Sequence, residues 1–232
     1  PYLAPREEKH LLSLNILPKI PGIYKCDTTQ NSEIQGILIS HGHADHTNYI
    51  RYLKPQIEIY CSELTGIIVV ARELSKPMYS GEYSIAKLTQ TRGEEIYYKI
   101  NSLTVNRSEK IGTFEVNPIE TDHSIPGSCG YLITGPECSV AYTGDLRFHG
   151  TRKDASWKFV EKAATLKPDA LIIEGTNIVN AKVTTENDVY ATSEELISKS
   201  NRLILVSFSM VDIDRLNTFY EVAKKTERKL VI

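Results

Sequence analysis

Apolar runs alternate with amphipathic stretches in the first third of the chain. Residues 36–40 form a short apolar run that a polar segment follows at once, which predicts a buried strand delivering a loop at its carboxyl end. Residues 47–53 predict a short helix that Pro55 stops. Residues 57–61 then predict a strand and residues 63–74 a helix, so the order in this region is βαβα.

The middle of the chain is richer in short β-type segments. Segments of strand-like composition, separated by polar turns, predict antiparallel strands there. They are residues 95–98, 103–105 and 113–116. Two further apolar segments, residues 130–134 and 138–142, flank the sequence Gly-Pro-Glu and predict a hairpin.

Helical patterns and apolar strands alternate in the last third, which is typical of α/β proteins with parallel strands. The predicted helices are residues 156–166, 187–198 and 213–225. The predicted strands are residues 170–173, 203–208 and 229–232. Glu174 stands at the tip of the first of these strands, and the last two strands enclose a helix as one βαβ unit.

Composition narrows the class of protein. The 232 residues suffice for one large domain and part of a second. Hydrophobic residues at 41% and charged residues at 24% indicate a soluble globular protein, and no apolar run approaches the roughly 20 residues that span a bilayer. The chain opens without the pattern of a signal peptide, and its four cysteines form no C-x-x-C pair, so we expect a cytoplasmic protein with reduced thiols. The net charge of −2 leaves a nucleic-acid partner open, because a local groove can be basic.

The densest chemistry follows the first predicted strand, in the sequence His-Gly-His-Ala-Asp-His. Alternate residues of an extended segment project to one side, and His46 follows at the turn into a helix. One histidine after a strand is usually a solvated loop residue. Three imidazoles and a carboxylate within six residues instead form a ligand set that Zn²⁺ prefers. We therefore predict a metal site at His41, His43, Asp45 and His46.

This H-x-H-x-D-H segment resembles the signature of metallo-β-lactamase-fold hydrolases. Residues 121–126, Thr-Asp-His-Ser-Ile-Pro, match the third motif of that family, and residues 142–145, Tyr-Thr-Gly-Asp, match the fourth. The resemblance implies an α/β fold of the αββα type, with two mixed sheets face to face and helices outside. It also implies that His41, His43 and His123 hold one zinc ion, that Asp45 and His46 begin the second site, and that Asp145 bridges the two. Two such ions can share a hydroxide and stabilise charge on a phosphoryl group.

Residues 172–177, Ile-Ile-Glu-Gly-Thr-Asn, resemble the acidic first motif of the β-CASP branch, which includes ribonuclease J and the cleavage-factor endonuclease of mRNA 3′ ends. We expect a metallo-β-lactamase domain over residues 1–180 and the start of a β-CASP α/β domain over residues 181–232. The resemblance implies that Asp45 and Glu174 are both catalytic residues. Glu174 is expected to order the metal shell or a neighbouring histidine. The alternative is an ordinary exposed acid at a strand end.

Two departures from the family pattern indicate a fragment. The family opens with strands that carry an aspartate, and the only candidate, Asp27, lies in a sequence that predicts a turn. The two later β-CASP histidines, one of which completes the second metal site, have no match before Ile232. We expect strands before Pro1 and ligands after Ile232 to be missing.

Four further residues are candidates for substrate contacts. Arg147 can hold a phosphate, although an arginine in a loop more often pairs with a local acid. His149 lies near the predicted bridging carboxylate and is favoured for a substrate-side or surface role over metal binding. Ser124 and Ser209 can donate to phosphate oxygens, although exposed serines need no special explanation.

The leading functional hypothesis is a ribonuclease of the ribonuclease J type, an endonuclease, a 5′-exonuclease or both. It would use two zinc ions, with manganese as the alternative, to cleave single-stranded RNA, and a homodimer is a candidate assembly. A DNA nuclease of the same branch is the nearest rival. A lactonase, thioesterase or small-molecule phosphodiesterase of the same fold is another alternative, but it would not need the segment after Glu174, which counts against it. A non-catalytic subunit is disfavoured by the intact set of predicted metal ligands.

Overall fold

The computed structural model describes residues 8–29, 33–75, 98–176 and 184–232. The chain forms two compact units, Pro1–Leu103 and Thr104–Ile232. Each unit contains one β-sheet. The domain boundary predicted at residue 180 lies outside the described residues and stays a prediction.

The sheet of the first unit has three parallel strands. In sheet order they are β1 (Ile37–Leu38), β2 (Ile59–Ser62) and β3 (Ile100–Leu103). The helical segments are α1 (Glu8–Ser13), α2 (Ala44–Thr47), a 3-10 helix (Asn48–Tyr52) and α3 (Glu63–Ser75). The prediction of antiparallel strands was wrong for β3, because the chain between β2 and β3 includes α3 and so provides the crossover that parallel pairing needs. The strand predicted over residues 95–98 lies mostly outside the described residues.

The core of the first unit lies around β2. Ile59 and Cys61, at alternate positions of that strand, are 0% and 1% exposed. The Tyr98 hydroxyl donates to the Leu53 carbonyl at 2.9 Å and so fastens the segment after the 3-10 helix. The turn predicted at Asp27 is confirmed, since the Asp27 N–H donates to the Tyr24 carbonyl at 3.0 Å.

The Asp27 carboxylate is itself part of that turn. Its oxygens accept hydrogen bonds from the backbone N–H groups of Gly22 at 2.5 Å and Thr29 at 2.8 Å. These hydrogen bonds stabilise the charged form and lower the pKa of Asp27 to about 2.

The sheet of the second unit has five strands in sequence order. They are β4 (Glu109–Ile111), β5 (Phe114–Glu120), β6 (Cys129–Thr134), β7 (Ser139–Tyr142) and β8 (Ala170–Ile172). The helices are α4 (Lys153–Leu166), α5 (Glu186–Ser198) and α6 (Ile213–Lys225). All neighbouring strands are antiparallel except β7 and β8, which α4 connects as a crossover. The predicted hairpin between β6 and β7 is confirmed, with Gly135 N–H donating to the Cys138 carbonyl at 2.8 Å.

Helix α4 covers one face of this sheet. Its Phe159 is 1% exposed and belongs to a buried cluster with Ile119, Leu132 and Ala141. The ring lies so close to Gly130 that a Cβ atom there would be 2.5 Å from Phe159 Cε2. A side chain at position 130 would therefore push the helix from the sheet.

The segment after β8 differs from its predicted pattern. Residues 203–208 and 229–232 form no strand in the described chain, and Leu203 and Leu205 are each 86% exposed. An extended segment becomes a strand only when its N–H and C=O groups form hydrogen bonds with a neighbouring segment. Among the described residues no segment pairs with these two in that way. The helix predicted over residues 187–198 is confirmed, and it begins at a capping box in which the Thr185 hydroxyl accepts from the Asp188 N–H. No helix in the described ranges has the length and apolarity to cross a membrane.

Candidate metal centre

The loop after β1 brings three imidazoles together in the first unit. His41 is completely buried, and its ring centroid lies 4.8 Å from that of His43 and 4.1 Å from that of His46. His43 is still extended as the N-cap of α2, whereas His46 lies one turn later, where its N–H donates to the His43 carbonyl at 3.2 Å. The change from strand to helix therefore turns His46 back toward the two preceding histidines.

The backbone of this loop is held by side chains. The Ser40 hydroxyl lies 3.0 Å from His41 Nδ1, which fixes the ring orientation. Thr47 donates to the His43 carbonyl at 2.9 Å, and Arg72 of α3 donates to the Gly42 carbonyl. Arg72 was not predicted, because nothing in its local sequence links it to a loop 30 residues earlier.

Asp45 and His46, the predicted start of a second metal site, lie close together in the same loop. His46 Nε2 lies 3.6 Å from Asp45 Oδ2, and the Asp45 side chain is 77% exposed. Two ligands of one tetrahedral ion, each bonded at about 2.1 Å, are about 3.4 Å apart. The pair therefore has the separation that a shared metal ion requires.

In the second unit the strand register places three loops at one edge of the sheet. Glu120 at the end of β5 pairs with Cys129 at the start of β6, and Tyr142 at the end of β7 pairs with both Tyr131 and Ile172. The loops that follow β5, β7 and β8 consequently leave the sheet on the same side. They carry the predicted site residues His123, Asp145 and Glu174.

His123 and Asp145 meet at that edge. His123 Nε2 lies 3.7 Å from Asp145 Oδ2, and their side chains are 17% and 28% exposed. This separation is again close to the value of about 3.4 Å for two ligands of one tetrahedral ion. The His123 carbonyl accepts from Arg152, the N-cap residue of α4, at 3.0 Å, so the start of α4 helps to position the loop.

The other predicted site residues of the second unit have varied surroundings. Glu174 is half-buried at the strand tip, and its carboxylate accepts from the Thr176 N–H at 3.0 Å. Ser124 is half-buried beside His123, and His149 and Ser209 are exposed. The roles predicted for these residues stay predictions.

Arg147 makes two ion pairs. Its Nε lies 3.0 Å from Asp122 Oδ1 and its Nη2 lies 2.5 Å from Asp214 Oδ2. The sequence favoured a local acid as the partner of this arginine, whereas the two observed acids lie 25 residues earlier and 67 residues later. The role predicted for Arg147, phosphate binding, stays a prediction.

Asp122 is a residue of the site that the sequence reasoning missed. It is completely buried directly before His123, and its N–H donates to the Ser156 hydroxyl of α4 at 2.9 Å. The sequence Thr-Asp-His-Ser-Ile-Pro does contain this acid beside the predicted ligand. If such an acid is buried, it needs a cationic or polar partner. That partner is distant in sequence, so the motif alone does not reveal it.

Comparison with known proteins identifies the class. The family model described as the beta-lactamase superfamily domain matches residues 23–182, and the chain belongs to this family. A solved structure of a protein of unknown function from Enterococcus faecalis V583 superposes with a TM-score of 0.72 at 22% identity, over 97% of this chain and 55% of that chain. The predicted metallo-β-lactamase fold is thereby confirmed.

Curated relatives carry the name ribonuclease J. Ribonuclease J 2 of Streptococcus pyogenes serotype M3 is 24% identical over 86% of this chain and 34% of its own length. Ribonuclease J of Mycoplasma genitalium is 25% identical over 96% of this chain and 37% of its own length. Ribonuclease J of Pyrococcus abyssi is 25% identical over 95% of this chain and 48% of its own length. The predicted resemblance to ribonuclease J is confirmed, and the chain spans about a third to a half of these relatives.

Proposed function

We propose that the protein is a metal-dependent phosphodiesterase that hydrolyses single-stranded RNA. The observation that carries the proposal is the pair of ligand sets on a chain whose similarity to ribonucleases J extends over 86–96% of its length. The imidazole cluster of the first unit and the His123–Asp145 pair of the second both have donor types and separations that suit zinc. Manganese is the alternative metal.

In this proposal the two ligand sets act together. By the family resemblance, His41, His43 and His123 would hold the first ion, Asp45 and His46 would begin the second site, and Asp145 would contribute to both. Bound ions would supply activation of water near neutral pH and compensation of charge on the phosphoryl oxygens.

The chain's own residues then hold the RNA and the ligands in place. Glu174, at the same sheet edge as Asp145, fixes the orientation of the ligand shell. The exposed His149 and Ser209 and the half-buried Ser124 supply donors to the RNA backbone. We assign residues 181–232 to the start of a β-CASP domain and expect the protein in the cytoplasm, with a homodimer as the candidate assembly.

The segment after β8 favours a nuclease over a small-molecule hydrolase. Helices α5 and α6 are joined by Arg215, whose Nε lies 2.8 Å from Glu186 Oε1, and the Thr218 hydroxyl donates to the same carboxylate at 2.8 Å. This ordered helix pair is additional to a compact hydrolase domain. It supports a polymer substrate, with RNA preferred to DNA on the names of the relatives.

A substrate panel tests the proposal. The full-length protein would be assayed on labelled single-stranded RNA, single-stranded DNA, a lactone and a thioester, with and without a chelator. The Asp45→Ala variant removes a proposed ligand, and Asp154→Ala, an exposed acid on α4, is the matched control. Labelling each RNA end in turn separates endonucleolytic from 5′-exonucleolytic cleavage.

We expect RNA cleavage that the chelator and Asp45→Ala abolish and that Asp154→Ala retains. Preference for DNA would move the protein to the DNA-processing alternative. Activity on the thioester or lactone alone, or RNA cleavage by Asp45→Ala at the wild-type rate, would contradict the proposal.

A further inference from the structure

A three-residue ion-pair array lies beside the ligand loops of the second unit. Arg147 stands between Asp122, which is completely buried, and Asp214 in the first turn of α6. Only 15% of the Arg147 side chain and 18% of the Asp214 side chain are exposed. A guanidinium group is planar and donates hydrogen bonds in fixed directions. When it binds two carboxylates and is largely buried, its orientation is therefore fixed.

The Asp122 end of the array joins the two ligand loops to each other. Besides the side-chain ion pair, the backbone N–H of Arg147 donates to the backbone carbonyl of Asp122 at 2.9 Å. Asp122 directly precedes His123, and Arg147 lies two residues after Asp145. Backbone and side chain of one residue pair therefore set the distance between the loops that carry the two proposed ligands.

Gly150 provides the space for this contact. A Cβ atom at that position would lie 2.3 Å from Arg147 Nε and 2.3 Å from Asp122 Oδ2. Both neighbouring groups are held by their ion pair, so neither can move aside at low cost. The close approach of the backbone at Gly150 is thus part of the same arrangement.

The Asp214 end connects these loops to a helix. Arg147 Nη2 lies 2.5 Å from Asp214 Oδ2, and the Thr151 hydroxyl donates to the other carboxylate oxygen at 2.9 Å. Asp214 therefore receives two hydrogen bonds from the segment that follows Asp145. Helix α6 lies in the segment beyond β8, so the array links that segment to the ligand loops.

We infer that Arg147 is a positioning residue that couples helix α6 to the placement of His123 and Asp145. It acts through Asp122 and Asp214, in place of the direct phosphate contact predicted from the sequence. The inference rests on the proposed metal centre. A change in α6, or the loss of its contact with Arg147, would alter metal affinity although α6 supplies none of the proposed ligands.

The test uses Asp214→Asn in the full-length protein, because this variant removes the charge and keeps the size of the side chain. Glu194→Gln is the matched control, since it weakens the ion pair between Glu194 of α5 and Lys225 of α6, whose Nζ lies 2.8 Å from Glu194 Oε1 at the end of α6 opposite Asp214. Zinc affinity would be measured by competition with a chromophoric chelator. The ring centroid of Trp157, the only tryptophan of the chain, lies 4.7 Å from that of Phe148, so its emission reports on the adjacent loop.

We expect Asp214→Asn to weaken zinc binding about tenfold, the lower part of the range for changes behind metal ligands. Its Trp157 emission in the metal-free protein should also shift, whereas Glu194→Gln should change neither quantity. Wild-type zinc affinity and emission in Asp214→Asn, or an equal loss in Glu194→Gln, would overturn the inference. A wild-type protein without zinc affinity would contradict the proposed function. In that case, the Trp157 emission of metal-free Asp214→Asn, compared with that of the wild type, would alone test whether α6 is coupled to the ligand loops.

Discussion

Replacing Gly130 by alanine tests how α4 is seated on the second sheet. The new Cβ atom would lie 2.5 Å from Phe159 Cε2, 2.8 Å from Phe159 Cδ2 and 3.0 Å from the Tyr142 carbonyl oxygen. Phe159 is 1% exposed, so its ring has no free space into which to rotate. The helix or the strand must move.

The expected cost is the difference between two effects. Forcing an extra methyl group into a packed core costs about 1–3 kcal/mol. Replacing glycine also restricts the unfolded chain, which stabilises the folded state by about 0.4–1 kcal/mol. With the midpoint of each range, about 2 and about 0.7 kcal/mol, we expect Gly130→Ala to lower the free energy of unfolding by about 1.3 kcal/mol.

The assay is urea denaturation, with Gly175→Ala as the control. A Cβ atom at Gly175 would meet no atom of the described residues within 4 Å, so that variant should lie within about 0.5 kcal/mol of wild type. Phe159→Leu should partly rescue Gly130→Ala, with a coupling energy of about 0.5 kcal/mol or more. Equal stabilities of the two alanine variants, or additive effects of Gly130→Ala and Phe159→Leu, would refute this packing argument.

Three further outcomes follow from local contacts. Backbone hydrogen bonds lower the pKa of Asp27 to about 2, so the charged carboxylate stabilises the fold above about pH 4 and this stabilisation is lost as the pH falls toward about 2. Between about pH 4 and pH 2 the urea denaturation midpoint of Asp27→Asn should therefore change less than that of the wild type, and identical pH profiles would contradict this. Thr185→Ala removes the capping box of α5 and should cost about 1 kcal/mol in urea denaturation, more than Thr192→Ala inside the same helix; equal costs would contradict the cap. Burial raises the pKa of the Cys61 thiol to about 12, so mass mapping after thiol alkylation of the folded protein should find Cys61 unmodified, and rapid modification would contradict its burial.

Features set by local sequence were predictable. The predicted helix over residues 213–225 coincides with α6, because the Asp212 side chain accepts from the Arg215 N–H and an apolar stripe follows the cap. The imidazole cluster of the first unit was likewise visible, since its members lie within six residues of one another.

Features set by distant partners were not predictable. The direction of β3 depends on pairing with β2. Residues 203–208 have strand composition, but no strand pairs with them in the part of the chain that the structure describes. The contacts of Arg147 join it to Asp122, 25 residues earlier, and to Asp214, 67 residues later. A motif read along the chain contains neither contact, although together they decide what surrounds this arginine.

The most direct test of the proposed function is metal titration of RNA cleavage. Metal-free full-length protein would be titrated with zinc and, separately, manganese, and the metal bound per chain would be measured beside the cleavage rate of single-stranded RNA. We predict no cleavage without metal and a rate that rises to its maximum at about two bound ions per chain. RNA cleavage by the metal-free protein at the maximal rate, or saturated metal binding without any RNA cleavage, would contradict the proposal.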